Sequence, residues 1–501
     1  MLAMRKILGA LVFLALLSPI FAYAQSATCV TFSGDLTFGD TGSEVTKLQT
    51  FLKAQGYLTA PLVPNFGNAT LAAVRAFQSA QGISATGTVG PLTRAAIQRV
   101  SCGGSSSGSG ASSQAASHTN TTTNSFEVTG WIPYWRGATG TADVMPHLDE
   151  LTEINPFVYS VKSDGTILDN AGMDQSPWSD LVAAAKAKHV RVIPTVMWSN
   201  GDQEHAILSS APLRQALEDR ITALIKNNGY DGVDIDFEGK HAEDKNYFST
   251  FLKGLYMRMG SKWVMCDIES RTPVDARYYG TEVPPDAAVY ANDFAAINKY
   301  CDRVKVMAYD QQGIDLQLSA AAASSSQLYA PVADPFWVRK VINLMSQSIS
   351  KKKLMIGVPT YGYEYDVTAY AGNQYSYDIL WTFNPGYVAP IEQQFNITPV
   401  RNLAGEMQLT YFADGTNPPN TVAPVSLNNI PSALLAAAAS SAYADSINTH
   451  QSFRLMDWPD AQSIAGKAEL AADMGVRGIS IFKLDGGEDP NMWNVLVGVK
   501  Q

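Results

Sequence analysis

With 501 residues, 46% of them hydrophobic and 16% charged, the chain exceeds one ordinary domain and can bury a large core. A formal net charge of -10 and the absence of any Lys/Arg-rich run argue against nucleic acid as a partner, because phosphate binding needs a concentrated basic surface. The six histidines are scattered without a His-Glu-x-x-His spacing and the four cysteines form no Cys-x-x-Cys, so the sequence offers no metal site and asks for no cofactor.

The chain opens with Arg5 and Lys6, an apolar run from Ile7 to Leu17, and the small-residue site Ala22-Tyr23-Ala24. This pattern predicts a signal peptide over residues 1–24. The run is shorter than the ~20 apolar residues a membrane span needs, and Pro19 follows it, so no stable span is expected once the signal is removed. Export to a secreted or cell-wall-associated location would place Cys29, Cys102, Cys266 and Cys301 in an oxidising space, where three pairings are open on paper.

Residues 29–102 hold a weak internal repeat. Ser43 is expected to cap a helix carrying Val45, Leu48, Phe51 and Leu52 on one face and stopped by Gly56. Asn68 is expected to cap a second, carrying Leu71, Val74 and Phe77 and stopped by Gly82, and Gly90-Pro91 opens a third. The expectation is a three-helix bundle. Cys29 and Cys102 bracket it, and a disulfide adds useful stability at this size, so these two are paired. The run Gly42-x-x-Val45-x-x-Leu48-Gln49-x-x-Leu52, with Gly56-Tyr57, Phe66-Gly67, Thr70, Val74-x-x-Phe77-Gln78, Gly82-Ile83, Gly87 and Gly90-Pro91-x-Thr93, resembles the peptidoglycan-binding repeat domain of bacterial cell-wall hydrolases. Residues 103–125, almost wholly small or polar, read as a flexible linker because nothing in them offsets the entropy of ordering.

From residue 126 to 501 apolar runs alternate with helical stretches, the signature of a parallel sheet. Eight runs are expected as strands: Val128–Pro133, Pro156–Val161, Val190–Val196, Gly232–Glu238, Trp263–Ile268, Arg303–Tyr309, Leu354–Pro359 and Gly478–Leu484. Eight strands over this length predict an α/β fold of the closed (β/α)8 barrel type, with its chemistry at the C-terminal strand ends. Between the seventh and eighth runs lie about ninety residues, 363–452, too many for a structureless loop. They are expected to form an α+β insertion with strands at Gln408–Phe412 and Phe453–Met456 and a helix at Ser432–Ala444.

The fourth run carries the chemistry. Side chains alternate along a strand, so Val233, Ile235 and Phe237 share one face while Asp234, Asp236 and Glu238 share the other. Three neighbouring carboxylates in a poorly hydrated site cannot all ionise cheaply, so at least one is held protonated near neutral pH, as a general acid requires. The ungapped run Asp231-Gly232-Val233-Asp234-Ile235-Asp236-Phe237-Glu238 resembles the Asp-Gly-x-Asp-x-Asp-x-Glu signature of glycoside hydrolase family 18, the chitinase-like enzymes.

That resemblance implies a retaining hydrolase of β-1,4-linked N-acetylglucosamine in peptidoglycan or chitin chains, acting through substrate assistance; a monomer is expected. It implies Glu238 as acid and then base, Asp236 orienting the substrate's acetamido group, Asp234 tuning Asp236, and Tyr309 holding the acetamido oxygen. Asp231, Met307 and Asp310 extend the matching motifs towards substrate. Tyr134, Trp135 and Trp198 stand near strand ends, where aromatics either stack on sugars or fill the core. Glu269 and Arg271 share a face of the fifth strand and are expected to pair behind the site. An α+β insertion at this place resembles the spore and cell-wall hydrolase branch of the family. One departure stands out: the family places a Trp on the last strand, where this chain has Phe482. The rival reading from another class is a lectin-like or structural wall protein on the same barrel.

Overall fold

The computed structural model describes residues 29–102, apart from 33, 35, 37–38, 82–86 and 88, and residues 126–499, apart from 325, 415–428 and 498. The expected signal peptide, the linker and the Gly82 helix stop lie outside the described residues. The chain divides into two compact units, residues 1–115 and 116–501.

In the first unit, α1 (Ser43–Ala54), α2 (Asn68–Ala80) and α3 (Pro91–Cys102) bury Val45, Leu48, Leu52, Val74, Phe77 and Ile97 against one another. Phe51 and Phe77 meet edge to face at 5.3 Å. Ser43 is the first helical residue rather than the cap: Gly42, at φ 120°, takes the cap position without a side-chain bond. Asn68 likewise lies inside α2. The repeat has a physical basis. Gln49 donates to the Thr70 hydroxyl and Gln78 to the Thr93 hydroxyl, each at 2.9 Å, so the motif's paired polar positions are buried links between helices. Cys29 is disulfide-bonded, while the side chain of Cys102, its expected partner, lies outside the described residues.

In the second unit the strands run in chain order as β1 (Glu127–Pro133), β2 (Glu153–Val161), β3 (Ile167–Asp169), β4 (Arg191–Val192), β5 (Thr195–Trp198), β6 (Gly232–Phe237), β7 (Trp263–Glu269), β8 (Arg303–Met307) and β9 (Leu354–Pro359). There follow β10 (Gly362–Tyr370), β11 (Gln374–Phe383), β12 (Val400–Arg401), β13 (Met407–Tyr411) and β14 (His450–Trp458), and then β15 (Gly478–Phe482). Parallel pairing in the order β1-β15-β9-β8-β7-β6-β5-β2 closes into a barrel because β1 also pairs with β2. All eight expected strands are present. The third is broken into β4 and β5 at Ile193-Pro194, where proline supplies no N–H to a ladder.

The outward residues of β6 meet the helix layer: Phe237 stacks on Phe251 at 5.2 Å, and Val233 and Ile235 are fully buried. Gly232 is required by packing, since a Cβ there would stand 2.4 Å from the Trp263 carbonyl oxygen. Cys266 on β7 and Cys301 before β8 form a disulfide, a pairing the sequence left open.

The insertion runs from β10 to β14, slightly longer than expected. Its antiparallel sheet, ordered β11-β10-β14-β13-β12, carries the helix Leu435–Ile447 and a small core of Phe383, Leu409, Met456 and Trp458. The β10–β11 hairpin, absent from the sequence expectations, places Tyr361 and Tyr363 beside the barrel mouth, where both phenols donate to the Asp310 carboxylate.

Candidate active site

At the C-terminal ends of the strands a cavity of about 280 Å³ is lined by Asp236, Glu238, Asp267, Glu269, Met307, Tyr309, Asp310 and Phe482, with Trp131, Phe157 and Ser270. Alternation along β6 sends Asp234 and Asp236 into the barrel, and Glu238 follows at the strand's end, where its N–H is held by the Trp198 carbonyl at 2.7 Å. Register does the same on the neighbours: Glu269 of β7 stands beside Met307 of β8, and Trp131 of β1 beside Phe482 of β15.

The electrostatics are set by burial. Asp236 is held well above the ordinary carboxylate range by desolvation, by the charges of Glu238 and Asp234, and by a hydrogen bond shared with Glu238. Glu238 is raised as well, first by burial and then by Glu269, while its bond to Asp236 and the Lys240 ammonium oppose the rise. The pair therefore retains a proton to higher pH than exposed carboxyls would. Asp267 is pushed up by burial and by Asp234.

Asp234 lies one layer deeper, fully buried, accepting from the Trp131 indole at 2.8 Å and the Thr195 hydroxyl at 3.0 Å, with the Lys305 ammonium at 3.1 Å. Burial would lower the Lys305 ammonium, but Asp234 and Glu153 hold it above its usual value, so it stays a cation inside the barrel. Tyr309 is kept a neutral phenol by burial and by the carboxylates around it. Its ring stacks on Phe482 at 5.6 Å, and Phe482 also meets Trp131 at 5.8 Å and Phe157 at 6.2 Å. The cavity thus has an aromatic box on one side and carboxyls on the other, with a proton held between two of them.

Several expected positions fall elsewhere. Asp231 stands at the opposite end of β6, where its carboxylate accepts from the Val192 N–H at 2.8 Å; it joins strands and is remote from the cavity. Trp198 pairs with Phe237 in register and so faces the helices, 4% exposed with its ring against Phe237 at 5.5 Å. Arg271 does not pair with Glu269. Its guanidinium lies over Tyr290 at 3.4 Å, and Asn292 stands between the two, donating to Glu269 at 2.6 Å while its carbonyl accepts from Arg271. Tyr134 packs on the barrel core and against Trp135, whose half-exposed ring lines a neighbouring cavity.

Trp131, Phe157, Asp267 and Lys305 were not singled out from the sequence. The period-two reading applied to Met265-Cys266-Asp267-Ile268-Glu269 would have set Asp267 on the face of Glu269, and the same reading of β8 aligns Lys305 with Met307. Among the described residues no group of three or more His, Cys, Asp or Glu could hold a metal ion, and no helix is long and apolar enough to cross a membrane.

Residues 128–487 match the family model described as Glycosyl hydrolases family 18, and residues 41–97 match "Putative peptidoglycan binding domain". The chain is 24% identical over 228 residues to the uncharacterized glycosylase YvbX of Bacillus subtilis (strain 168), covering 44% of this chain and 61% of that protein. It is 26% identical over 196 residues to chitinase A1 of Niallia circulans, covering 35% of this chain and 26% of the other. It thus spans less than two thirds of the length of these curated relatives. Among solved structures, the spore cortex-lytic enzyme SleL of Bacillus megaterium QM B1551 superimposes with a TM-score of 0.54 at 17% identity, covering 75% of this chain and 74% of that one. The chitinase from Chromobacterium violaceum ATCC 12472 gives 0.53 at 17% identity, covering 74% and 98%. At such identities these likenesses speak for the fold.

Proposed function

The chain belongs to glycosyl hydrolases family 18, and from that premise we propose that it is an extracytoplasmic retaining glycosidase that cleaves β-1,4-linked N-acetylglucosamine in peptidoglycan or chitin with the substrate's own acetamido group as nucleophile. The observation that carries this reading is the hydrogen-bonded Asp236–Glu238 pair in a cavity walled by Tyr309 and Phe482. In the first step Glu238 gives its proton to the glycosidic oxygen as the bond to the anomeric carbon breaks. The acetamido oxygen forms the new bond to that carbon, and a cyclic oxazolinium results. Asp236 orients the acetamido N–H and opposes the developing positive charge, with Asp234 fixed beneath it by Lys305 and Trp131. The Tyr309 phenol donates to the acetamido oxygen. In the second step Glu238, now a carboxylate, takes a proton from water as the water opens the ring. No enzymic nucleophile is needed, in keeping with the exception this family makes among retaining enzymes.

The unit 29–102 supplies the second half of the reading. Tethered by residues 103–125, it would hold the enzyme on wall glycan and raise the local concentration of substrate. The test is to incubate the purified protein separately with cell-wall sacculi and with chitin oligomers and to identify the products by mass, using Glu238→Gln as the control. The expected result is cleavage by the wild type and a loss of roughly 10²- to 10⁴-fold in the variant. Glycan binding by the wild type without any product would overturn the enzymatic reading and favour a lectin-like protein.

A further inference from the structure

Beside the catalytic cavity lies a second one of about 230 Å³, lined by Trp135, Arg136, Tyr361, Asn384, Lys483 and Asp485. The two share an aromatic wall. Trp135 meets Phe157 edge-on at 5.8 Å and Tyr361 meets Phe482 edge-on at 6.0 Å, and both phenylalanines line the catalytic cavity. A sugar chain that has one unit over Phe482 therefore has room for a neighbouring unit beside Trp135, a residue 51% exposed that can offer ring surface to a sugar face.

The charges of the two cavities are opposite. The catalytic one is lined by Asp236, Glu238, Asp267, Glu269 and Asp310 and by no cation, whereas its neighbour sets two cations, Arg136 and Lys483, against one carboxylate, Asp485. That carboxylate is already engaged: its buried side chain accepts from the Lys483 ammonium, from Asn384 at 3.2 Å and from the Gly487 N–H at 3.0 Å. Lys483 also donates to Asn384 at 2.8 Å. The Arg136 guanidinium is different. Its Nε stands 3.7 Å from Asp485, its side chain is 43% exposed, and it has no other partner among the described residues. Its four further N–H donors, in a planar fork on a residue that lines the cavity, are left for a ligand.

We propose that this second cavity is an anion-selecting glycan subsite, taking a sugar unit that carries a carboxylate-bearing substituent, with Arg136 pairing the carboxylate and Trp135 covering the ring. The proposal rests on the glycosidase reading and deepens it. A chitin unit offers only neutral hydroxyl and acetamido groups, which leave the guanidinium with nothing to neutralise. A peptidoglycan unit carries a lactyl ether that ends in a carboxylate or continues into a peptide with carboxylates of its own. Guanidinium and carboxylate form charge-assisted, bidentate pairs that a neutral group cannot match. Lys483 fixes Asp485 and keeps the cavity's net charge positive.

Three probes separate the possibilities: soluble alternating glycan oligosaccharides with free lactyl carboxylates, their methyl esters, and the same oligosaccharides with stem peptides retained. The expected result is a kcat/KM about tenfold higher for the free carboxylate than for its ester, with that ratio falling towards one in Arg136→Gln. In Lys483→Gln, which leaves Asp485 to draw on Arg136, the ratio should also fall towards one, but less far than in Arg136→Gln. Preference for the free lactyl form over the peptide-bearing form assigns the lactyl carboxylate as ligand, and the reverse assigns a peptide carboxylate. An unchanged ratio in Arg136→Gln overturns the proposal. Cleavage of chitin oligomers but of none of the three also overturns the proposal; if the wild type turns over neither the three nor chitin oligomers, the glycosidase reading fails instead, and titration calorimetry of the free acid and ester on the wild type and Arg136→Gln still decides the subsite by the same ratio in Kd.

Discussion

Both ends of the barrel bury carboxylates, and they treat them in opposite ways. At the N-terminal end Glu127 is enclosed by Arg191, Arg303 and Arg477 at 2.7–3.1 Å, and these cations outweigh the cost of burial and hold its carboxyl down to about 2. At the C-terminal end Asp236 and Asp267 are as deeply buried, yet neither is hydrogen-bonded to a cation, and both are pushed up. Lys305 stands between the ends and serves Glu153 and Asp234, the layer beneath the cavity. Compensation makes one end a staple. Its absence makes the other end a proton store, which is stability given up where reactivity is wanted.

The largest expected effect comes from breaking the compensated end. Glu127→Gln leaves three arginines facing one another around a neutral amide and should cost the barrel unit about 3–5 kcal/mol at neutral pH, read by chemical denaturation. The sign follows from the lowered carboxyl: its contribution is present in full above the usual Glu value of 4.5 and is lost as pH falls through about 2. The gap between wild type and variant should therefore close over that acid range, and a constant gap would show that the carboxylate's charge is not what holds this end.

Asp236→Asn tests the uncompensated end and should move activity and stability in opposite directions. Turnover should fall by about 10²-fold, since the amide offers no negative charge to the developing cation. The unfolding midpoint at neutral pH should rise. A carboxyl raised in the fold contributes its full stability only below its unfolded value and loses it as pH rises through the folded value, so at neutral pH removing it relieves a burden. A lower midpoint in the variant would contradict the comparison.

The smallest effect sharpens it. Glu269 is the leading charge that raises Glu238, so Glu269→Gln should lower the Glu238 carboxyl and move the basic limb of kcat/KM to lower pH, with little change in the plateau. A limb that stays in place would mean that the Glu269 charge does not set the proton affinity of Glu238.

Much of this was legible before any coordinate. Alternation along Gly232–Glu238 separated the carboxylates from Val233, Ile235 and Phe237, and the eight apolar runs are the eight barrel positions. Trp198 shows where such reading stops. Its side depends on the register of β5 against β6 after the break at Pro194, and that register sends Thr195 and Met197 inward beside Asp234 and Asp236 and turns Trp198 to the helices. Asp231 was misplaced because it was carried along with the rest of its motif, although it precedes the first residue of the strand and so stands at the end away from the cavity. Arg271 was matched to Glu269 on spacing alone, without the segment that brings Asn292, Tyr290 and Phe294 between and over them.

The sequence by itself determined what is local: which residues form strands and helices, which side chains share a face, and that three acids stand together on one of them. These follow from backbone periodicity, which each segment carries alone. Only the tertiary structure decided which acids keep their protons, because the deciding groups come from distant strands. Trp131 and Lys305 reach Asp234 from β1 and β8, Asp267 and Glu269 approach from β7, and Phe482 closes the box from β15. Desolvation and charge act through space, and the barrel's closure brings those neighbours within reach.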